Sequence, residues 1–227
     1  MAARRRIGLV GGTFDPPHVG HLALARAARD AWSLDEVRLV PTGRSWQKAD
    51  AGASSAQRLA MTRLALDGLD ASERLVVDER EVRRDGPTYT VETLRELRAE
   101  LGAEPMLVLV LGSDQLRNLH TWHRWRELFE HAHVVATQRE RVPLDALPPE
   151  VEAELAARGA GALPDAPAGS IAFFRMPAVP VSATALRAQL GRGERPIGLS
   201  PPAVLEYFVL LGVVGWGGGW CWVGVVV

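Results

Sequence analysis

The chain has 227 residues, 47% of them hydrophobic, and a formal net charge of -1. That length suits one α/β domain with a full core. The near-zero charge excludes a global pull toward nucleic acid or an anionic membrane, so an anionic ligand must be held by local charge. The single cysteine, Cys221, excludes an internal disulfide framework and a multi-cysteine zinc site.

The chain opens MAARRRIGLV, basic and then apolar. The apolar run breaks at Gly11–Gly12 and Asp15 after about four residues, short of the roughly 7–15 of a signal core. It reads as a first strand, in a cytoplasmic protein. A helix is predicted over 20–32, with Leu22, Leu24, Ala25, Ala28 and Trp32 on one face, then a strand at VRLVP and a helix over 55–66. RLVV is the third strand, and Val91, Leu94, Leu97 and Leu101 give the face of a helix over 90–101. MLVLVL, HVVAT and SIAFF complete the strands. All are continuously apolar, as in a parallel sheet covered on both faces. The segment 141–169 is rich in Ala, Pro and Glu and predicts an exposed helix over 148–158 and a loop; another helix covers 183–190. GLSPPAVLEYF predicts a last helix with Ser200 as N-cap and Pro201 at the first helical position. No internal repeat is present. This alternation argues for an α/β, doubly wound parallel sheet. From Tyr207 onward no residue is charged, and the run is long enough to span a membrane. Its six glycines weaken a helix, so 209–227 reads as a Gly/Trp/Val-rich extension to a domain over 1–208, with Trp216, Trp220 and Trp222 as bystanders.

The string GGTFDPPHVGH follows the first strand. Gly11 and Gly12 allow a sharp turn and close approach of a ligand to the main chain, and Pro16 and Pro17 stiffen the loop. A helix starting near Val19 aims its first N–H groups and its positive dipole end at the strand ends, which makes a phosphate site. His18 and His21 lie three apart and project on one side, where imidazoles can donate to phosphate oxygens and help carry charge that grows in a transition state. A metal pair would need a third ligand, and only Asp15 is local.

The string resembles the GG-x-FDP-x-H-x-GH form of the (H/T)xGH signature, as found in bacterial nicotinate-nucleotide adenylyltransferases of the nucleotidylyltransferase superfamily. PTGRSWQK (Pro41 to Lys48), EVRRDGPTYTVETL (Glu81 to Leu94), LGSDQLRNLHTWHRW (Leu111 to Trp125) and VSATALR (Val181 to Arg187) resemble that family's later motifs, in order, from about Ile7 to Phe208. The resemblance implies a Rossmann-like nucleotidyltransferase fold and transfer of AMP from ATP to nicotinate mononucleotide, giving deamido-NAD and pyrophosphate. The attacking phosphate oxygen is already ionised, so no covalent intermediate is needed. Catalysis is alignment plus charge neutralisation, which fits the lack of a G-x-S-x-G elbow.

By the same resemblance His18, His21, Lys48 and Arg187 carry catalysis. Gly11, Gly12, Thr13 and Phe14 offer backbone donors to phosphates, and Ser182 and Thr184 hold phosphate at a helix start. Gly112 and Asp114 serve the nucleotide, with the Asp114 carboxylate on ribose hydroxyls. Arg139 reaches the adenine-phosphate side. Trp122 stacks the pyridine ring, and main-chain N–H groups near Thr90 and His123 meet the nicotinate carboxylate. Many relatives have another aromatic where His123 stands. Mg²⁺ is expected with ATP, held by phosphate and water. Trp125 fits core packing better, Arg83 and Arg84 read as a solvated face, and His120, His131 and His133 form no constellation. Sister enzymes that adenylylate phosphopantetheine or use CTP fit the TYT and Trp122 segments less well. A catalytically silent sensor fits poorly with intact His18, His21, Lys48 and Arg187.

Overall fold

A computed structural model describes residues 4–44, 52–138 and 147–210. Lys48, Arg139 and the tail from 211 onward lie outside the described residues. In chain order the elements are β1 (Arg6–Gly12), α1 (Val19–Trp32), β2 (Glu36–Pro41), α2 (Ser55–Leu66), β3 (Leu75–Val77), α3 (Arg80–Arg83), α4 (Thr90–Leu101) and β4 (Met106–Leu111). Then follow α5 (Ser113–Arg117), α6 (Leu128–His131), β5 (His133–Gln138), α7 (Pro149–Arg158), β6 (Ile171–Arg175), α8 (Ala183–Gly191) and α9 (Pro202–Leu210). The six strands form one parallel sheet in the order β3-β2-β1-β4-β5-β6. The chain thus starts in the middle, runs to one edge, returns, and runs to the other, which is the doubly wound topology.

The unbroken apolar run of β4 follows from burial on both faces. Leu107, Leu109 and Leu111 of β4 pack with Val91, Leu94 and Leu97 of α4. Met106, Val108 and Val110 of the same strand point the other way, toward Leu22, Ala25 and Ala28 of α1. A smaller cluster joins Met61 and Ala65 of α2 to Val204 and Phe208 of α9. That last helix runs to Leu210, two residues past the expected boundary at 208.

The expected end of this helix differs in detail. Helical bonds from the Val204 and Leu205 N–H groups go to the Pro201 carbonyl, and the helix begins at Pro202. Ser200 does not cap it. The Ser200 hydroxyl is buried and donates to the Pro17 carbonyl at 2.7 Å, while the Val19 N–H donates to the Leu199 carbonyl at 3.0 Å. The segment before α9 is therefore a clasp on the loop between β1 and α1.

Candidate functional site

Strand order reverses between β1 and β4, and a cavity of about 660 Å³ opens at the carboxyl ends of these strands, lined by Gly11 and Gly12 on one side and Leu111 and Gly112 on the other. Ligands of doubly wound sheets bind in this crevice, and the size falls within the roughly 300–1,000 Å³ of small-molecule sites. Thr13, Phe14, His18, His21, Thr90, Asp114, Trp122, His123, Ser182, Thr184 and Arg187 line the same space. Residues scattered over some 175 positions are thus gathered by one topological fact.

The sharp turn expected at the glycines lies two residues on, at Phe14. Gly11 and Gly12 are the last residues of β1, paired with Val40 and Pro41, and neither has a positive φ. The left-handed residue of the turn is Phe14, at φ 50. A Cβ on Gly12 would lie 2.8 Å from the buried Phe14 ring, whereas a Cβ on Gly11 would meet nothing within 4 Å. Gly12 is glycine because Phe14 folds back over it, and Gly11 keeps the cavity open.

Phe14 also positions the histidines. Its ring meets His21 edge-on at 4.9 Å, and His21 stacks on His18 with centroids 3.7 Å apart and planes 20° from parallel. The His18 N–H donates to His21 Nδ1 at 3.1 Å at the first turn of α1, while the buried His18 Nδ1 has no partner. Because Nδ1 accepts, a neutral His21 ring carries its proton on Nε2. His18 is 8% exposed. Burial lowers its pKa from 6.5 to about 4, so at neutral pH it is an uncharged imidazole. A Cβ on Gly20 would press within 3.1 Å of the His18 ring and of Val181, so this glycine lets the three approach.

Arg187, on α8, donates to the Asp15 carbonyl at 2.5 Å and stands 3.7 Å from its carboxylate. Asp15 is 2% exposed, with Oδ2 accepting from the Gly52 N–H at 2.7 Å and Oδ1 buried without a partner. It ties the first turn to Arg187 and to the start of α2, a role the sequence did not reveal.

The opposite wall is built by α4. The Thr88 N–H donates to the Arg44 carbonyl at 3.1 Å, which draws the Thr88–Thr90 segment to the loop after β2. Thr90 is the first residue of α4, so its N–H has no acceptor within the helix. The His123 ring lies against Tyr89 at 4.3 Å. Trp122 is half-buried, packs on the core beside α4, and holds its indole N–H without a partner. Trp125 is a core residue, edge-on to Phe129 at 6.4 Å. Glu81 also lines the cavity and was missed. It accepts from the Thr93 hydroxyl at 2.8 Å, and burial pushes its pKa up.

One further expectation changes. Arg83 is exposed and pairs with Glu79, but the Arg84 guanidinium is largely buried against Thr93 and Glu96. The two do not form a solvated face, because α3 is a single turn laid against α4. Ser182 caps α8, its hydroxyl oxygen accepting from the Ala185 N–H at 3.1 Å, and its own proton remains able to donate. Asp114 sits in the first turn of α5, reaching back over Gly112, where a Cβ would lie 2.8 Å from its Oδ1. Sequence reasoning also missed the wall from Met176 to Val181, which follows β6 and has no charged residue.

Comparison with known proteins gives a consistent set of likenesses. Residues 9–189 match the cytidylyltransferase-like family. A protein of Pseudomonas aeruginosa named probable nicotinate-nucleotide adenylyltransferase is 45% identical over 206 residues, spanning 89% of this chain and 94% of its own length. One of the same name from Chromobacterium violaceum is 47% identical over 204 residues, spanning 89% and 95%. Among solved structures, the Plasmodium falciparum nicotinic acid mononucleotide adenylyltransferase complexed with NaAD superposes with a TM-score of 0.71 over 92% of this chain and 97% of that one. Its sequence identity is 15%, so that likeness concerns the fold.

Proposed function

The chain belongs to the cytidylyltransferase-like family and, within it, to the nicotinate-nucleotide adenylyltransferases, and from that premise we infer how its cavity divides the work. The reaction transfers AMP from ATP to nicotinate mononucleotide and releases pyrophosphate and deamido-NAD, a step of NAD biosynthesis. The observation that carries the assignment of roles is the single cavity that joins the β1 turn and its histidine pair to the wall made by Thr90, Trp122 and His123.

On this reading the ATP phosphates lie along Gly11 to Phe14, His18, His21 and Arg187. An ionised phosphate oxygen of the mononucleotide attacks the α-phosphorus and pyrophosphate leaves, so the protein has only to align the two anions and offset their charge. Neutral His18 donates one hydrogen bond and His21 another through Nε2. Arg187 supplies full charge beside them, released from the Asp15 carbonyl as phosphate arrives. Ser182 and Thr184 donate hydroxyls at the start of α8, Asp114 receives ribose hydroxyls, and the uncharged wall after β6 suits the adenine. Lys48 and Arg139 complete the cationic set. The pyridine ring stacks on Trp122, and its carboxylate meets the Thr90 N–H at the positive end of α4 and the main chain at His123.

Mg²⁺ would come with the triphosphate, held mostly by phosphate oxygens and water rather than by a protein cage, and would supply positive charge to offset that of the leaving pyrophosphate. The test is direct. The chain, incubated with ATP, Mg²⁺ and nicotinate mononucleotide, should form pyrophosphate and deamido-NAD in equal amounts. Pyrophosphate without dinucleotide, or neither product, would contradict the assignment.

A further inference from the structure

Arg58 lies behind the first turn rather than in the cavity. It is 3% exposed, and no other arginine among the described residues is buried so deeply. Its donors go to main-chain carbonyls of three segments: Thr13 at 2.8 Å, Gly43 at 2.8 Å and Ala53 at 3.3 Å. A guanidinium keeps its charge in such a place, and carbonyl dipoles together with the nearby Asp15 and Glu81 carboxylates offset part of the cost of removing it from water. An apolar side chain there would leave those carbonyls unsatisfied, and the placement of the fork of donors still needs an explanation.

The Thr13–Phe14 peptide supplies it. The peptide is trans, so its carbonyl and N–H point in opposite directions. Arg58 takes the carbonyl, which turns the Phe14 N–H away from the guanidinium. Phe14 holds a positive φ that costs free energy for a residue with a Cβ. The bond from Arg58 helps maintain it. The same guanidinium fixes Gly43 in the loop after β2, where any Cβ would lie 2.0 Å from the Glu81 carbonyl oxygen. Through these bonds the loops after β1 and β2 and the start of α2 become one rigid floor.

We propose that Arg58 is a positioning residue for adenylyl transfer: it aims the Thr13–Phe14 peptide and places a buried positive charge behind the phosphate turn. The proposal rests on the reading of that turn as the phosphate site. Arg58→Lys retains charge but cannot bridge three carbonyls, and Arg58→Met retains neither property. The parent is assayed first with ATP, Mg²⁺ and nicotinate mononucleotide, then each variant well below its melting temperature. Expected is a kcat about tenfold lower or more in Arg58→Lys, as for a small misplacement of reacting groups, lower still in Arg58→Met, with the mononucleotide KM within about threefold of the parent. A purely structural arginine would lower Tm and leave kcat of the folded enzyme unchanged, and a kcat within about twofold of the parent overturns the proposal. If Arg58→Met does not fold, Arg58→Lys decides. A parent that releases no pyrophosphate overturns the reading of the cavity itself, and the role of Arg58 with it.

Discussion

The buried His18 makes this fold sensitive to acid in a calculable way. Its pKa falls from 6.5 to about 4 on folding, with burial the largest cause. Above pH 6.5 both folded and unfolded chains hold a neutral ring, and the group contributes no pH dependence. Between 6.5 and 4 the unfolded chain binds a proton that the folded chain refuses, so stability falls as pH falls. Between pH 7 and pH 5 the loss attributable to His18 is about 2 kcal/mol, and it approaches about 3 kcal/mol near pH 4. His131 and His133 are shifted in the same direction by burial, so the parent's total slope is steeper than the share of His18. The comparison that isolates it is His18→Asn, which keeps an N-cap side chain. Urea unfolding of both chains at pH 7 and pH 5 should show the variant losing about 2 kcal/mol less than the parent over that interval. Equal losses in the two chains would refute the claim that His18 is held neutral by its surroundings.

Other consequences concern the turn and the chemistry. Gly12→Ala forces a methyl group against the Phe14 ring and should cost about 1–3 kcal/mol in urea unfolding, whereas Gly11→Ala should leave stability within about 0.5 kcal/mol while raising the KM for ATP. The reverse pattern would show that the two glycines have been assigned the wrong reasons. His21→Ala should lower kcat by roughly 10²–10³ or more with ATP still bound, as for loss of one transition-state donor; full turnover would remove His21 from the phosphates. At pH 7.5 nicotinate mononucleotide should react with a higher kcat/KM than its amide counterpart, and equal values would disprove the role of the Thr90 and His123 main chain.

The sequence revealed whatever depends on local period. All six strands, α2 and α4 lie where apolar spacing put them, because each has a face, or two faces, that water must leave. The first turn was legible from its string of residue types, but the reason for its glycines was not, since nothing local says that Phe14 will fold back over Gly12. Single-turn helices such as α3 and α5 are set by tertiary packing and leave no periodic trace. Buried polar residues were the main omission. Arg58 and Thr62 stand four apart on the inward face of α2, and nothing in the local sequence ties them to their targets, the Thr13 and Gly43 carbonyls for Arg58 and the helix's own Arg58 carbonyl for Thr62. Asp15, Glu81 and the Ser200 clasp likewise act through partners far away in sequence. The Met176–Val181 wall carried no charge or motif to draw notice.

The most direct test of the account is a crystal structure of the chain with deamido-NAD bound. The phosphates should lie against Gly11 to Phe14, His18 and His21, with the pyridine ring on Trp122 and its carboxylate at the start of α4. A dinucleotide bound away from the carboxyl ends of β1 and β4 would contradict it.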